Sequence, residues 1–299
     1  MTTAVDLGAD ASSRKARRPE LVREMTASEA WVVIASECIE HWRTNEALLL
    51  ESRAMPHLHQ TRVGLRRLRS SFSLFRPLLR KAPHAEDVVH RLRHLALPLG
   101  RARDLDVLLA GDLLDDQPAH HADALAVERE LAYDLVSERL RSSAWRKASV
   151  RLDRVVADAP WSLADDPAVA DLAARALEKR WRRVAGVHDR IAEMSPADRH
   201  EVRIEAKKLR YGCEFFADLY AVDSDETVTI EGSELSRPLA YAWHAEQVQT
   251  ALGAVNDHHT ADELLRSVGA AAPGVDEDAL VAEGAAACHR LASLEPFWR

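Results

Sequence analysis

His59, Arg62, Arg66 and Arg69 follow one another at spacings of three, four and three residues. His200, Arg203, Lys207 and Arg210 repeat those spacings 141 positions later. On an α-helix such spacings gather side chains on one side, because three and four residues bracket a turn. The chemistry open to a row of this kind is anion binding. Guanidinium groups present planar forks that match phosphate oxygens, and an ammonium group acts as a point charge. His59 and His200 fall near helix N-termini, where unpaired backbone N–H groups already favour anions. Each row is about 15 Å long at 1.5 Å per residue, self-repelling, and suited to a polyanion.

The charge distribution isolates the first row. The stretch "HLHQTRVGLRRLRSSFSLFRPLLRK" (57–81) carries seven Arg or Lys and no acid, in a chain of net charge −8. Residues 52–103 hold twelve basic residues against Glu86 and Asp87, a local net of +10, which leaves −18 for the remainder. So large a split bears on partners rather than on fold. With His59 at zero on a helical wheel, Arg69, Arg62 and Arg66 fall at about 280°, 300° and 340°. Leu65, Leu68, Phe72, Phe75 and Leu79 fall between about 160° and 240°, so the basic row lies beside the core face. Arg67 and Lys208 point elsewhere, near 80°. A merely solvated face ordinarily mixes signs, as "ALEKRWRR" does. Asp104 and Asp257 stand at matching positions and are expected to pair with the row arginines, but two carboxylates cannot neutralise eight basic groups.

The elements that must hold these rows are helical. At 299 residues and 47% apolar content the chain can bury a real core, and Gly and Pro are sparse. Helical periodicity predicts helices from Ser28, from Pro56 to about Leu79, and over roughly 85–97, 122–159 and 166–193. A further helix is capped by Ser195 with Pro196 at its first position, and a last one runs to about Leu294. Residues 1–19 read as a flexible leader ahead of a single domain over 20–299. Cys38, Cys213 and Cys288 are odd in number and far apart, as befits reduced core thiols of a cytoplasmic protein. No stretch approaches twenty uninterrupted apolar residues, and no secretory leader is evident.

The chain repeats itself. "HQTRVGLRRLRSSFSLF" (59–75) aligns with "HEVRIEAKKLRYGCEFF" (200–216) at an offset of 141, and "LGRARD" (99–104) with "LGAVND" (252–257) at 153. The twelve-residue difference matches an acidic insertion at 221–238, a loop in which "TVTI" is the one strand-like run. Two ordered matches indicate duplication, with halves at about 28–160 and 166–295.

These motifs, "H-x2-R-x3-R-R-L-R", "LG-x2-RD-x-DVLL", "KKLRY" and "LG-x2-ND", closely resemble the CHAD domain, the conserved histidine α-helical domain, from about Ala30 to Leu294. Asn256, standing where the first half has Arg103, departs from the pattern. The resemblance implies an all-α fold of two pseudo-symmetric helical bundles around a basic central channel. It also implies binding of inorganic polyphosphate and association with polyphosphate granules. Carried over by position, the contacts are His59, Arg62, Arg66, Arg69, His200, Arg203, Lys207 and Arg210, with Arg67, Lys208, Arg101 and Arg103 secondary.

Other activities find less support. "NDHH" (256–259) falls in a helical repeat rather than at a strand end, His120 and His121 are read as loop neighbours, and no P-loop or nucleophile elbow is present. No cofactor or resident metal is expected. A metal-dependent polyphosphate hydrolase would have to draw on Asp104, Asp106 and Asp257. Binding of RNA as a general polyanion would use base stacking, for which the rows offer only Tyr211. Protonation of His59 and His200 is expected to strengthen anion binding at mildly acidic pH.

Overall fold

The computed structural model describes residues 12–80, 82, 84–115, 117–159, 166–221 and 227–299. Thirteen α-helices and one β-hairpin account for the regular structure of these residues, apart from two single 3-10 turns. The fold is all-α, and among the described residues no helix is long and apolar enough to cross a membrane.

Helix α1 (Ala27–Ser52) begins at a capping box: the Thr26 hydroxyl accepts from the Glu29 amide, and the Glu29 carboxylate accepts from the Thr26 amide. It ends at Arg53, which turns through φ 52° so that the chain can double back into α2 (Met55–Leu74). The two helices pack closely because residue 64 is glycine. A Cβ there would lie 2.8 Å from the Trp42 Cα. Trp31 packs edge-on to Phe72 at 5.3 Å, and Trp42 edge-on to Trp145 at 5.5 Å.

The expected helix to Leu79 ends at Leu74 instead, and a short α3 (Arg76–Leu79) follows. The cause is Pro77, which has no amide hydrogen to give to the Ser73 carbonyl four residues back. Arg180 fills that gap, donating from Nη2 to the Ser73 carbonyl at 2.9 Å. Helices α4 (Ala85–Leu95), α5 (Pro98–Ala110), α6 (Ala119–Arg141) and α7 (Ser143–Ala157) complete the first half. The continuous helix expected over 122–159 is broken at Ser142, whose hydroxyl accepts from the Trp145 amide at 3.1 Å and starts α7. His120 and His121, expected in a loop, form part of the first turn of α6.

The second half contains α8 (Val169–Ala185), α9 (Pro196–Phe215), α10 (Ala217–Ala221), α11 (Arg237–Ala251), α12 (Ala254–Ser267) and α13 (Glu277–Ala292). Helix α8 stops at Ala185, short of the expected 193. The Ser195 cap forms as expected, accepting from the Asp198 amide at 3.2 Å. In the insertion, β1 (Thr227–Ile230) pairs antiparallel with β2 (Ser233–Ser236) through a turn at Glu231 and Gly232, φ 50° and 79°. The remainder of that loop, 222–226, lies outside the described residues.

The sequence repeat reappears in the elements. Adding 141 to the bounds of α2 gives those of α9, and the same shift carries the start of α3 to that of α10. The main contacts joining the halves are α1 with α8, α2 with α9 and α5 with α12, each pair standing at one place in the repeat. One hydrophobic cluster runs through both halves, and Phe75 meets Phe216 at 5.7 Å where α2 and α9 end. Cys38, Cys213 and Cys288 are buried in it as free thiols.

The leader departs from expectation. Residues 1–11 lie outside the described residues, but the segment from residue 12 to 19 is tied to α1. The Arg14 amide donates to Asn45 Oδ1 at 3.1 Å, the Asn45 amide group donates to the Arg14 carbonyl at 3.0 Å, and Arg14 pairs with Glu40 at 2.6 Å.

Gly64 generates a test of the α1–α2 packing. In an isolated helix Gly→Ala gains about 1 kcal/mol, yet a methyl group here meets the Trp42 backbone, and overpacking costs about 1–3 kcal/mol. Gly64→Ala should therefore lower the midpoint of urea unfolding. An unchanged or higher midpoint would mean that the two helices part without cost.

Candidate functional site: a basic seam between α2, α5 and α9

The rotation of α2 is set by Leu58, Leu65, Leu68 and Phe72, all buried, and that of α9 by Val202, Ala206, Leu209 and Phe215. The same rotation turns the basic rows toward one another. His59, Arg62, Arg66, Arg203 and Lys207 are half-buried, and Arg69 lies at the exposed rim. Helix α5 adds Arg103 and Asp104, also half-buried.

These groups meet closely enough to alter one another's protonation. Burial, with Arg66, Arg203, Arg69 and Arg62 close by, pushes the Lys207 ammonium down to about 8. Burial and the charges of Arg103, Arg66 and Arg62 bring His59 to about 4. Burial lowers Arg62 to about 10 against the pull of Asp104, with Arg66, Arg103 and Arg69 adding to the drop. Partial desolvation and the neighbouring Arg93 and Arg66 lower Arg69 as well. His59 is therefore largely neutral in the free protein between pH 5.5 and 8, so a gain in binding at mild acidity requires a proton taken up with the anion, whereas Lys207 has its own value near neutrality.

The cations of the seam differ in what they already hold. Among the described residues Arg62, Arg66, Arg69, Arg93, Arg103 and Lys207 form no ion pair, and the Arg66 Nε–H is buried with no acceptor. The other candidates are committed. Arg210 pairs with Glu214 at 3.0 Å and with Glu246 at 2.6 Å. Arg203 donates to the Gln249 carbonyl at 3.1 Å and lies 3.5 Å from Asp257.

The secondary candidates are mostly structural. Arg67 is buried, bonded to Glu214 and stacked over Phe215 at 4.8 Å, which welds α2 to α9. Lys208 pairs with Glu205 at 2.7 Å, a buried carboxylate also held by Arg180 at 2.9 Å. Arg101 pairs with Glu128 at 2.6 Å. Arg67, Lys208 and Arg101 thus already have carboxylate partners, whereas Arg103 has none among the described residues. His200 is exposed on α9 and makes no hydrogen bond or ion pair among the described residues, so nothing ties it to the seam.

The aspartates also divide. Asp257 makes the expected pair with Arg203, whereas Asp104 lies in the field of Arg62 without a direct bridge. Burial raises Asp104, Arg62 and Arg101 oppose the rise, and Asp257 adds to it, so the two carboxylates are neighbours. Asp106 points into the core, accepting from Arg129 at 2.7 Å and from the Tyr133 hydroxyl at 2.8 Å. Among the described residues no three His, Cys, Asp or Glu side chains gather as a metal site would require.

Sequence reasoning missed four participants. Gly100 and Gly253, the glycines of the two "LG" motifs, lie against the row: a Cβ at 100 would meet an Arg62 Nη at 3.5 Å, an ordinary contact, whereas one at 253 would come within 2.5 Å of an Arg203 Nη, so Gly253 leaves room for that side chain. Their recurrence at the 153 offset was the available signal. Arg93 on α4 and Glu246 on α11 stand at matching positions under the same offset, but with opposite charge, so identity matching passes over them.

The CHAD domain family model matches residues 33–266. The crystal structure of the CHAD domain from the plant Ricinus communis is similar at a TM-score of 0.73 and 25% identity, over 95% of this chain and 91% of that one. PptA from Streptomyces chartreusis shares the fold at a TM-score of 0.56 and 15% identity, over 90% of this chain and 93% of that one. No curated protein matches by sequence. With a helical seam built from the motif residues and a match across most of its length, the chain belongs to the CHAD domain family.

Proposed function

We propose that the chain binds inorganic polyphosphate, without turning it over, along a basic channel at the α2–α5–α9 seam, and that this binding associates it with polyphosphate granules in the cytoplasm. The observation that carries the reading is the group of cations that face one another and form no ion pair among the described residues, with Asp104 the one carboxylate in their field: Arg62, Arg66, Arg69, Arg103 and Lys207. Folding such a group together is unfavourable by itself, and a multivalent anion offsets the repulsion while accepting from the buried Arg66 Nε–H. A ligand without bases fits better than RNA. Tyr211, Phe72 and Phe75 are all buried, which leaves the rows no aromatic surface for stacking. A hydrolase would need a carboxylate-held metal, and Asp106 is committed to Arg129 and Tyr133.

Calorimetric titration with long-chain polyphosphate, with single-stranded RNA as competitor, tests the reading. Tight binding that weakens steeply with salt is expected, because each contact releases counterions. Arg66→Glu/Lys207→Glu should lose at least about tenfold in affinity, about 1.4 kcal/mol. Equal competition by RNA would make the protein a general polyanion binder, and no binding would return the seam to a purely structural role.

Lys207 sets the pH dependence. Below pH 8 the free protein already carries the ammonium charge; above it the proton has been shed and must be regained on binding. Affinity should be flat from pH 6 to about 7.5 and fall as pH rises beyond 8. Lys207→Arg, charged throughout, should flatten the fall; parallel curves for the two proteins would count against Lys207 as the titrating contact.

The same residue weakens the free fold. Its folded value of about 8 lies below the ordinary 10.5, so the folded chain binds fewer protons than the unfolded one between those limits. Its contribution therefore improves as pH rises through that window, and at pH 7 it costs on the order of 1–3 kcal/mol. Lys207→Met should raise the melting temperature at pH 7, with the gain shrinking toward pH 10, while polyphosphate affinity drops. A lower melting temperature at pH 7 would contradict the repulsion on which the site is argued.

A further inference from the structure

The repeat gives each wall of the seam one basic row, but the surroundings of the two rows differ in sign. At the 141 offset Arg69 corresponds to Arg210, and at the 153 offset that follows the insertion, Arg93 corresponds to Glu246. In the first half Arg69 is exposed at the rim, has Arg93 for a neighbour, and neither forms an ion pair among the described residues. In the second half the Glu246 carboxylate lies 2.6 Å from Arg210 Nη1, and Glu214 lies 3.0 Å from its Nε. Arg210 is thus held by two carboxylates, one at Nε and one at Nη1, through charge-assisted bonds. Arg203 on the same row is likewise occupied, by the Gln249 carbonyl and Asp257. Of Arg203, Lys207 and Arg210, Lys207 alone has no carboxylate partner among the described residues, and it faces Arg62, Arg66 and Arg69 of the first row.

We propose that the seam is lopsided: the polyanion runs along the first-half wall, with Arg93 as an additional phosphate contact, and Glu246 acts as an internal carboxylate that holds Arg210 away from the ligand. This rests on the polyphosphate reading and deepens it, since it names which wall the phosphates follow and which side chain limits the contact set. Two members of one duplicated pair have taken opposite roles, one an attractor and one a competitor. The ligand class follows from the chemistry. A string of oxyanions gains from the unpaired guanidinium groups of the first wall. On the second wall it would have to displace Glu246, whose own pairing with Arg210 is charge-assisted.

Glu246 has a half-exposed side chain and Arg93 an exposed one, so neutral substitutions at both sites should leave the fold intact, which thermal melting checks. In titrations with long-chain polyphosphate, Arg93→Gln should weaken binding about threefold to tenfold and flatten the salt dependence by about one counterion. Glu246→Gln should tighten binding about threefold or more and steepen the salt dependence, because Arg210 Nη1 becomes free to meet a phosphate while Glu214 keeps Nε. The gain should vanish when Arg210→Gln is added to Glu246→Gln. If the wild type binds polyphosphate while Arg93→Gln and Glu246→Gln both match it, the lopsided seam is wrong and the polyphosphate reading stands. A Glu246→Gln protein that melts lower and binds no tighter makes Glu246 a plain staple between α9 and α11. Absence of wild-type binding removes both readings together.

Discussion

Repulsion among the seam cations is the constraint around which the rest of the molecule is arranged. Burial and the charges of neighbouring cations, Arg66 among them, depress the proton affinities of Arg62, Arg69 and Lys207, and Asp104 only partly relieves Arg62. Such a group persists only if the helices carrying it are held from behind. The hold comes from the apolar sides of the same helices: Leu65, Leu68 and Phe72 on α2, and Ala206, Leu209 and Phe215 on α9, all buried in one continuous cluster. Because the basic row lies beside this face and not opposite it, burying the core necessarily brings the charges together. Hydrophobic burial of about 1.5–3 kcal/mol for each large side chain supplies ample compensation for an electrostatic penalty of a few kcal/mol.

Charge pairing then does the remaining positioning, and it separates charges that hold the fold from charges that are left over. Arg67 and Glu214 join α2 to α9, and Arg180 ties α8 both to Glu205 on α9 and to the Ser73 carbonyl freed by Pro77. These are buried pairs, for which loss of one partner leaves an uncompensated charge. They fix the separation of the two rows. Gly253 serves the same end by making room for Arg203 at the start of α12. The unpaired cations are thus residues left without carboxylates after every structural pair has been made, in a fold that is otherwise acidic.

Elements that recur at a fixed offset make the departures between them informative. The elements that join the halves correspond, and α2 and α9 share their bounds under one offset. Against this background, Arg93 opposite Glu246 and the unpaired Arg69 opposite the doubly paired Arg210 stand out as differences of charge with no difference in element placement. A structure of this kind lets one half specialise while the other keeps the scaffold.

The sequence alone determined the helical class, the repeat, and the rotation of the basic rows relative to the core, because helical periodicity is local and 100° per residue settles which side chains share a face. The Ser195 cap and the acidic insertion were legible for the same reason. Helix ends were less so: Pro77 and Ser142 break what periodicity would continue. Which cations stay unpaired was decided only by tertiary structure. Arg67 and Arg69 are two residues apart in one basic run, yet one is buried against Glu214 and the other stands at the rim beside Arg93. That outcome depends on carboxylates over a hundred residues distant, and Coulomb interactions fall off with separation in space, not along the chain.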